Sequence, residues 1–257
     1  MQIDEVRELL GDLPREMPAF LTDATIRRFL RARSWSSVQA AKALKEAAQW
    51  RRLYQPEKIC WEDITDRENE AKRAYIADYL DKKGRQVYLT RPTIKSKTSD
   101  KEIIKFLVYN LENLSLNLED AQEENVVWIS DCRGWAISST PVSLTRESLR
   151  IIQKYYPGII TAGILTNPPK VFESFWKIVK LFIEPEFREK VIFVYDNNPE
   201  SQRTLADMFD LDKLESVFGG RNTTGFDVSK YAERMKRQDH IRGARTHANG
   251  SMSSSLS

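Results

Sequence analysis

"ENVVWISD", residues 124–131, carries four large apolar residues in an unbroken run, Val126 to Ile129, and stops at Ser130 and Asp131. A run that short, without polar alternation, is how a strand covered on both faces reads. The same signal recurs on either side of it. "KKGRQVYLT" (82–90) is a turn followed by a short strand, "IITAGILT" (159–166) a strand, and "KVIFVY" (190–195) another. Between them lie helical patterns: "DKEIIKFLVYNLENL" (100–114), capped at Asp100, "LTRESLRIIQKYY" (144–156), and "VFESFWKIVKLFIEP" (171–185). Strands alternating with helices of this length predict βαβ units, hence a largely parallel sheet covered by helices.

The part before residue 80 reads differently. "ATIRRFLRAR" (24–33), capped by Thr22 or Asp23, sets Ile26, Phe29 and Leu30 on one helical face. "SWSS" (34–37) interrupts, Ser36 or Ser37 caps "VQAAKALKEAAQWRRL" (38–53), and helical pattern continues through "ENEAKRAYIADYL" (68–80). No strand is expected there. The expected division is a helical cap over residues 1–80, an α/β domain over 81–242, and a small, polar, disordered tail over 243–257.

Composition narrows the function classes. The chain has 257 residues, enough to bury a core without disulfides or metals. Forty basic residues against 37 acidic give a net charge of only +3, too little to indicate nucleic acid. Two cysteines, Cys60 and Cys132, make no disulfide framework, and their spacing to His240 and His247 fits no metal site. The N-terminus lacks the apolar segment of a signal peptide, and no apolar run reaches the ~18 residues of a membrane span. A cytoplasmic protein is expected. Phosphate-loop, dinucleotide and nucleophile-elbow motifs are absent. Asp131 and Asp196 follow strands, where the turn preference of aspartate accounts for them. Neither an enzyme nor a cofactor is expected.

The stretch 171–185 is unusual. Nine of its first thirteen residues are large and apolar. On a helical wheel Glu173, Lys177, Lys180 and Glu184 form one narrow polar stripe. Phe172, Phe175, Trp176, Val179, Phe182 and Ile183 occupy one flank, and Val171, Ile178 and Leu181 the other. That is more apolar surface than one core-facing side uses. The pattern fits a deeply buried helix, or one whose inner side walls an apolar cavity while the element swings out to a membrane interface.

Several blocks together resemble the CRAL-TRIO lipid-binding family, in its plant and fungal single-domain form. They are "IRRFLRARSWSSVQAAKALKEAAQWRR" (26–52), "KKGRQVYLTRP" (82–92), "VVWISDCRGWAISS" (126–139), "YYPG" (155–158), "ILTNPPKVFESFWKIVKLFIEPEFREKV" (164–191) and "LESVFGG" (214–220). The resemblance implies a mostly parallel α/β sheet flanked by helices, a small helical cap, and an internal lipid pocket closed by a gate helix over about 169–185. It further implies non-enzymatic exchange of one phospholipid, with phosphatidylinositol first among candidates, by a monomer acting peripherally at membranes. Presentation of that lipid to lipid kinases is a further implication. An adaptor that only senses lipid, or a carrier of another apolar ligand, is the alternative.

Carried across by motif, the headgroup residues are Arg33, Lys190 and Tyr88, the first two suited to a phosphodiester. Leu111, Val126, Trp128 and Phe187 fall at further pocket positions. Phe172, Phe175, Trp176, Val179 and Phe182 belong to the gate. The family's acidic acceptor is Gly158 here, its adjoining arginine Ile159, and a threonine beyond the gate Phe187. A site that leaves hydroxyls unsatisfied discriminates against inositol.

Overall fold

A computed structural model describes residues 2–116, Leu118 and residues 125–243; the expected tail lies, beyond Gly243, outside the described residues. The chain opens with four helices: α1 (Gln2–Leu10), α2 (Leu13–Glu16), α3 (Asp23–Arg31) and α4 (Ser37–Tyr54). Thr22 caps α3, its hydroxyl accepting from Thr25 N at 3.2 Å, and Ser36 caps α4 by accepting from Gln39 N at 3.4 Å. The first of the four was not expected; it buries Val6 and Leu10 and packs on α4.

The short helix α5 (Arg67–Arg73) then leads into strand β1 (Ala74–Leu80), where helix had been expected through Leu80. The hairpin that follows decides the matter. Asp81 Oδ1 accepts from Lys83 N at 3.0 Å and Arg85 N at 2.8 Å, its other oxygen accepts from Arg85 Nε at 2.7 Å, and Gly84 takes φ +79°. This turn folds Tyr75 and Ile76 back against Leu89 and Tyr88 of β2 (Gln86–Thr90). Pairing partners override the helical periodicity of the preceding residues. The α/β part therefore begins at Ala74, not after residue 80.

From there the order is α6 (Asp100–Ser115), β3 (Val126–Asp131), α7 (Val142–Tyr155), β4 (Ile160–Thr166), α8 (Phe172–Val179), α9 (Pro185–Glu189), β5 (Val191–Val194), α10 (Pro199–Met208) and α11 (Val228–Arg242). Ser99, rather than Asp100, caps α6, accepting from Glu102 N at 3.4 Å. Strand order in the sheet is β1-β2-β3-β4-β5, the first pair antiparallel and the rest parallel. Parallel strands advancing in one direction, joined by the usual right-handed crossovers, put α6, α7 and α8 on the same face. On that face stand Tyr88, Thr90, Trp128 and Ser130. The alternate residues Val87, Leu89, Val127 and Ile129 are fully buried and share the main core with Leu205, Phe209 and Phe218.

The cap is fixed to the α/β part by a buried polar joint. Arg51 of α4 forms two 2.8 Å bonds to the Glu112 carboxylate of α6, and Tyr156 Oη donates to Glu112 Oε1 at 2.7 Å. Beside them Trp50 stacks on Tyr155 with centroids 4.2 Å apart.

Candidate functional site

The expected single helix over 171–185 is broken in two. After α8 comes a 3-10 turn, Lys180–Phe182, then extended Ile183 and Glu184. Pro185 bars helical backbone at the residue before it, and Glu184 takes ψ 138°. The eight-residue α8 thus stands as its own element. Its inner side chains Phe172, Phe175 and Val179 are 5, 9 and 4% exposed, against 44, 46 and 73% for Val171, Ile178 and Leu181.

The inner side packs into an apolar cluster separate from the main core, with Cys132, Trp135, Leu165 and Ile183. Trp135 lies 5.0 Å from the Phe172 ring and 4.7 Å from that of Phe175. Between α8, α7, α6 and the sheet lies a cavity of about 410 Å³, within the ~300–1,000 Å³ usual for small-molecule sites. Trp128 forms part of its floor, its Nε1 donating to Thr90 Oγ1 at 2.8 Å. Gly163 permits this: a Cβ there would come within 3.3 Å of the Trp128 ring and 3.6 Å of Phe187.

Eight of the expected residues line the cavity: Tyr88 and Trp128 from the sheet, Phe172, Phe175, Trp176 and Val179 from α8, and Phe187 and Lys190 beyond it. Four do not. Leu111 and Val126 are fully buried in the main core, and α6 presents Ile103, Phe106 and Leu107 instead. Phe182 turns to α7, where Arg146 lies over its ring at 5.3 Å and its carbonyl accepts from Gln153 Nε2 at 2.8 Å. Arg33 lies past the end of α3, before Ser34 and Trp35, both at positive φ. Its Nη1 donates to Ala32 O at 2.8 Å and sits 3.8 Å from Glu184.

The cavity takes Arg28 and Arg31 in its place. Their i, i+3 spacing puts them on one side of α3, a signal present in the sequence. Arg28 passes beside Gly158, whose hypothetical Cβ would lie 3.7 Å from it, while Ile159 is buried in the main core.

Charges at this mouth are mixed. Lys190 Nζ is 3.7 Å from Glu186. Burial raises the Glu184 carboxyl above its ordinary range, with Arg33 opposing and Glu186 adding to the rise. At the opposite end, burial pushes the Cys132 thiol up to about 12. Asp131 accepts from Arg133 N at 3.1 Å, a strand-end turn, and Asp196 pairs with Arg133 at 2.6 Å. No helix among the described residues is long and apolar enough to cross a membrane.

Comparison with known proteins bears on the family and the fold. Residues 70–220 match the CRAL/TRIO domain. A CRAL-TRIO domain-containing protein of Schizosaccharomyces pombe is 29% identical over 214 residues, 82% of this chain but only 20% of that protein. The SEC14 cytosolic factor of Candida glabrata is 27% identical over 219 residues, 79% of this chain and 72% of the relative. The Sec14 cytosolic factor of S. pombe is 28% identical over 218 residues, 78% and 75% of the two chains. Among solved structures, the crystal structure of Sfh5 superposes with TM-score 0.66 at 14% identity, over 93% of this chain and 98% of that one; it shows the fold.

Proposed function

Since the chain belongs to the CRAL/TRIO domain family, we propose that it is a Sec14-like lipid carrier: it holds one lipid in the cavity beneath α8 and exchanges it at a membrane surface, without chemistry, from the cytoplasm. The observation that carries this is the cavity itself, walled on one side by a short apolar helix whose outer flank is also apolar. A two-chain phospholipid has on the order of 30 methylenes at ~0.8 kcal/mol each against water, so a carrier must supply about 20 kcal/mol of apolar contact. Aromatic and aliphatic walls do that, and Val171, Ile178 and Leu181 give α8 a surface to set against a bilayer.

Phosphatidylinositol is the first lipid to test. Its phosphodiester would meet Arg28, Arg31 and Lys190 at the mouth, while Gly158 offers inositol no acceptor. The experiment is native mass spectrometry of the purified protein, with extraction of the bound lipid, followed by transfer of labelled phosphatidylinositol and phosphatidylcholine between vesicles. The expected result is one lipid per chain and measurable transfer. A protein that emerges empty and takes nothing from vesicles would overturn the proposal, and occupancy without transfer would make it a lipid-sensing adaptor.

A further inference from the structure

The sheet has two edge strands, and the fold treats them differently. The free side of β1 is covered by α11: Ile76 N donates to Tyr231 Oη at 3.4 Å, and the Arg234 guanidinium donates to Ile76 O and, at 2.9 Å, to Ala77 O. For β5 the ladder fixes what faces outward. Gly163 N donates to Lys190 O at 3.1 Å and Asn167 N to Val194 O at 2.8 Å, with Gly163 level with Val191 and Leu165 with Phe193. In a parallel pair that phase turns the backbone groups of Ile192 and Val194 to β4, and those of Val191, Phe193 and Tyr195 away from it. Among the described residues no hydrogen bond meets the backbone of Val191 or Phe193 on that side, and Tyr195 O accepts from Asn198 N at 3.1 Å.

The side chains agree with an open edge. Ile192 and Val194 turn to the main core. Val191 and Phe193 stand on the α8 face, where the Phe193 ring meets Trp176 edge-on with centroids 5.4 Å apart. Phe193 and Tyr195 are 36 and 38% exposed. Edge strands are ordinarily blunted by a charge, a proline or a bulge, and Val191–Val194 carries none of these.

The strand matches itself. A two-fold axis through Phe193, perpendicular to the sheet, runs β5 antiparallel to a second copy. Phe193 then stands opposite its own counterpart, Val191 opposite Tyr195, and Lys190 opposite Asp196. The phase is right as well, since opposed residues of an antiparallel pair exchange bonds when their groups point at each other. Phe193 exchanges two bonds with its counterpart, and each Tyr195 N–H reaches a Val191 carbonyl, which leaves the turn from Tyr195 to Asn198 intact. The two Phe193 rings pair across the axis. Opposite charges meet at both ends, the Lys190 and Asp196 side chains being 40 and 49% exposed. Agreement in phase, packing and charge is what an isologous contact requires.

We propose that β5 is a homodimerisation edge, which joins two five-stranded sheets into one, in place of the monomer that the family resemblance implies. Because the axis is perpendicular to the sheet, both copies of α8 lie on the same face. Resting on the carrier reading, the pair sets two apolar flanks against one bilayer.

The test is sedimentation velocity of the purified full-length protein. A contact this small is weak, with Kd on the order of 10–100 µM, and the sedimentation coefficient should rise from monomer to dimer across that range. Phe193→Lys and Phe193→Glu each put like charges on the axis and should raise Kd by roughly 10-fold or more; mixed with each other, they should associate again. Phe193→Cys should cross-link under glutathione disulfide, since the Cα atoms of such a pair lie ~5.5 Å apart. Tyr195→Cys should not, its counterpart lying about four residues, or ~13 Å, along the strands. Cys60 and Cys132 are buried. A protein that stays monomeric throughout overturns the inference and leaves the edge to a strand of another protein. Association that the charged variants do not move, or that Tyr195→Cys traps as readily as Phe193→Cys, overturns it too. At sub-micromolar protein the cross-linked dimer should float with phosphatidylcholine–phosphatidylserine vesicles roughly 10-fold or more tightly than its reduced form. Equal flotation overturns the joint docking while the dimer stands.

Discussion

Phe175 is the side chain whose removal tests most directly whether α8 is a door. It is 9% exposed and its ring contacts Trp135 at 4.7 Å and Phe172 at 5.4 Å. Burial of a large apolar side chain contributes ~1.5–3 kcal/mol and each ring pair a further ~0.5–1.5. One side of the ring faces the cavity, so the lower ends apply, and Phe175→Ala should cost the closed position about 2.5 kcal/mol. If opening limits release, that raises the release rate roughly 100-fold. The assay is transfer of a self-quenched fluorescent lipid from the loaded protein to acceptor vesicles. The control is Leu205→Ala, in the main core at 0% exposure, costing a similar ~2–5 kcal/mol. Both variants should lower the midpoint of thermal unfolding, by roughly 5–10 °C for 2.5 kcal/mol, but only Phe175→Ala should release lipid faster. Equal acceleration in both would mean that lipid leaves by global unfolding, and no acceleration in either would make α8 a fixed wall.

The outer flank gives a complementary expectation. Leu181 is 73% exposed, so Leu181→Ser should leave lipid retention in solution unchanged and lower vesicle affinity roughly 10- to 30-fold, the loss of ~1.5–2 kcal/mol of membrane burial, read by flotation. Cys132 is 1% exposed with its thiol raised to about 12. Against an ordinary thiol near ~8.5 its thiolate is roughly a thousandfold scarcer at pH 8, so iodoacetamide should leave it unmodified by mass spectrometry; labelling at a free-thiol rate would contradict the buried cluster. For Asp131, burial raises the folded-state pKa above its reference of 3.8. The folded chain holds the extra proton, so this group's contribution is fully favourable below about 3.8 and is lost as pH rises through the folded value. Asp131→Asn, still able to accept from Arg133 N, should therefore raise the unfolding midpoint at pH 7 and lose that advantage near pH 3.5; a variant less stable at pH 7 would refute the assignment.

What the sequence revealed depended on how local the cause was. The apolar runs Val126–Ile129 and Ile159–Leu165 announced buried strands because each residue carries its own reason for being inside. The wheel of α8 separated Phe172, Phe175 and Val179 from Val171, Ile178 and Leu181, and their exposures divide the same way. The extended step before α9 did not show on the wheel, because Pro185 acts on the backbone of Glu184 rather than on hydrophobicity. Strand β1 was hidden for a related reason: "ENEAKRAYIADYL" has helical spacing throughout, and only pairing with β2 makes its second half a strand. Arg73 went unnoticed with it. In the sequence it reads as a charge closing a surface helix; the sheet carries it to the cavity wall. Arg33 failed for the opposite reason: a motif match fixes a position in the chain, and two positive-φ residues after it fix where the helix stops.

The separation of the two apolar clusters bears on how such a chamber could open at all. The main core ties the cap, the far face of the sheet and the C-terminal helices together, whereas α8 contributes Phe172, Phe175 and Val179, with Ile183, to the smaller cluster. Moving α8 outward would expose those four side chains and leave the main core intact. At ~1.5–3 kcal/mol each, full exposure to water would cost about 6–12 kcal/mol, an open population of roughly one in 10⁴ to one in 10⁹. The same four groups set into the boundary of a bilayer lose almost none of that, and Val171, Ile178 and Leu181 gain. Under the proposed carrier function, a chamber built this way would stay shut in solution and open where there is a bilayer to receive the helix. Its selectivity for place would then lie in the solvent around α8, and its selectivity for guest in the few polar groups that line the cavity.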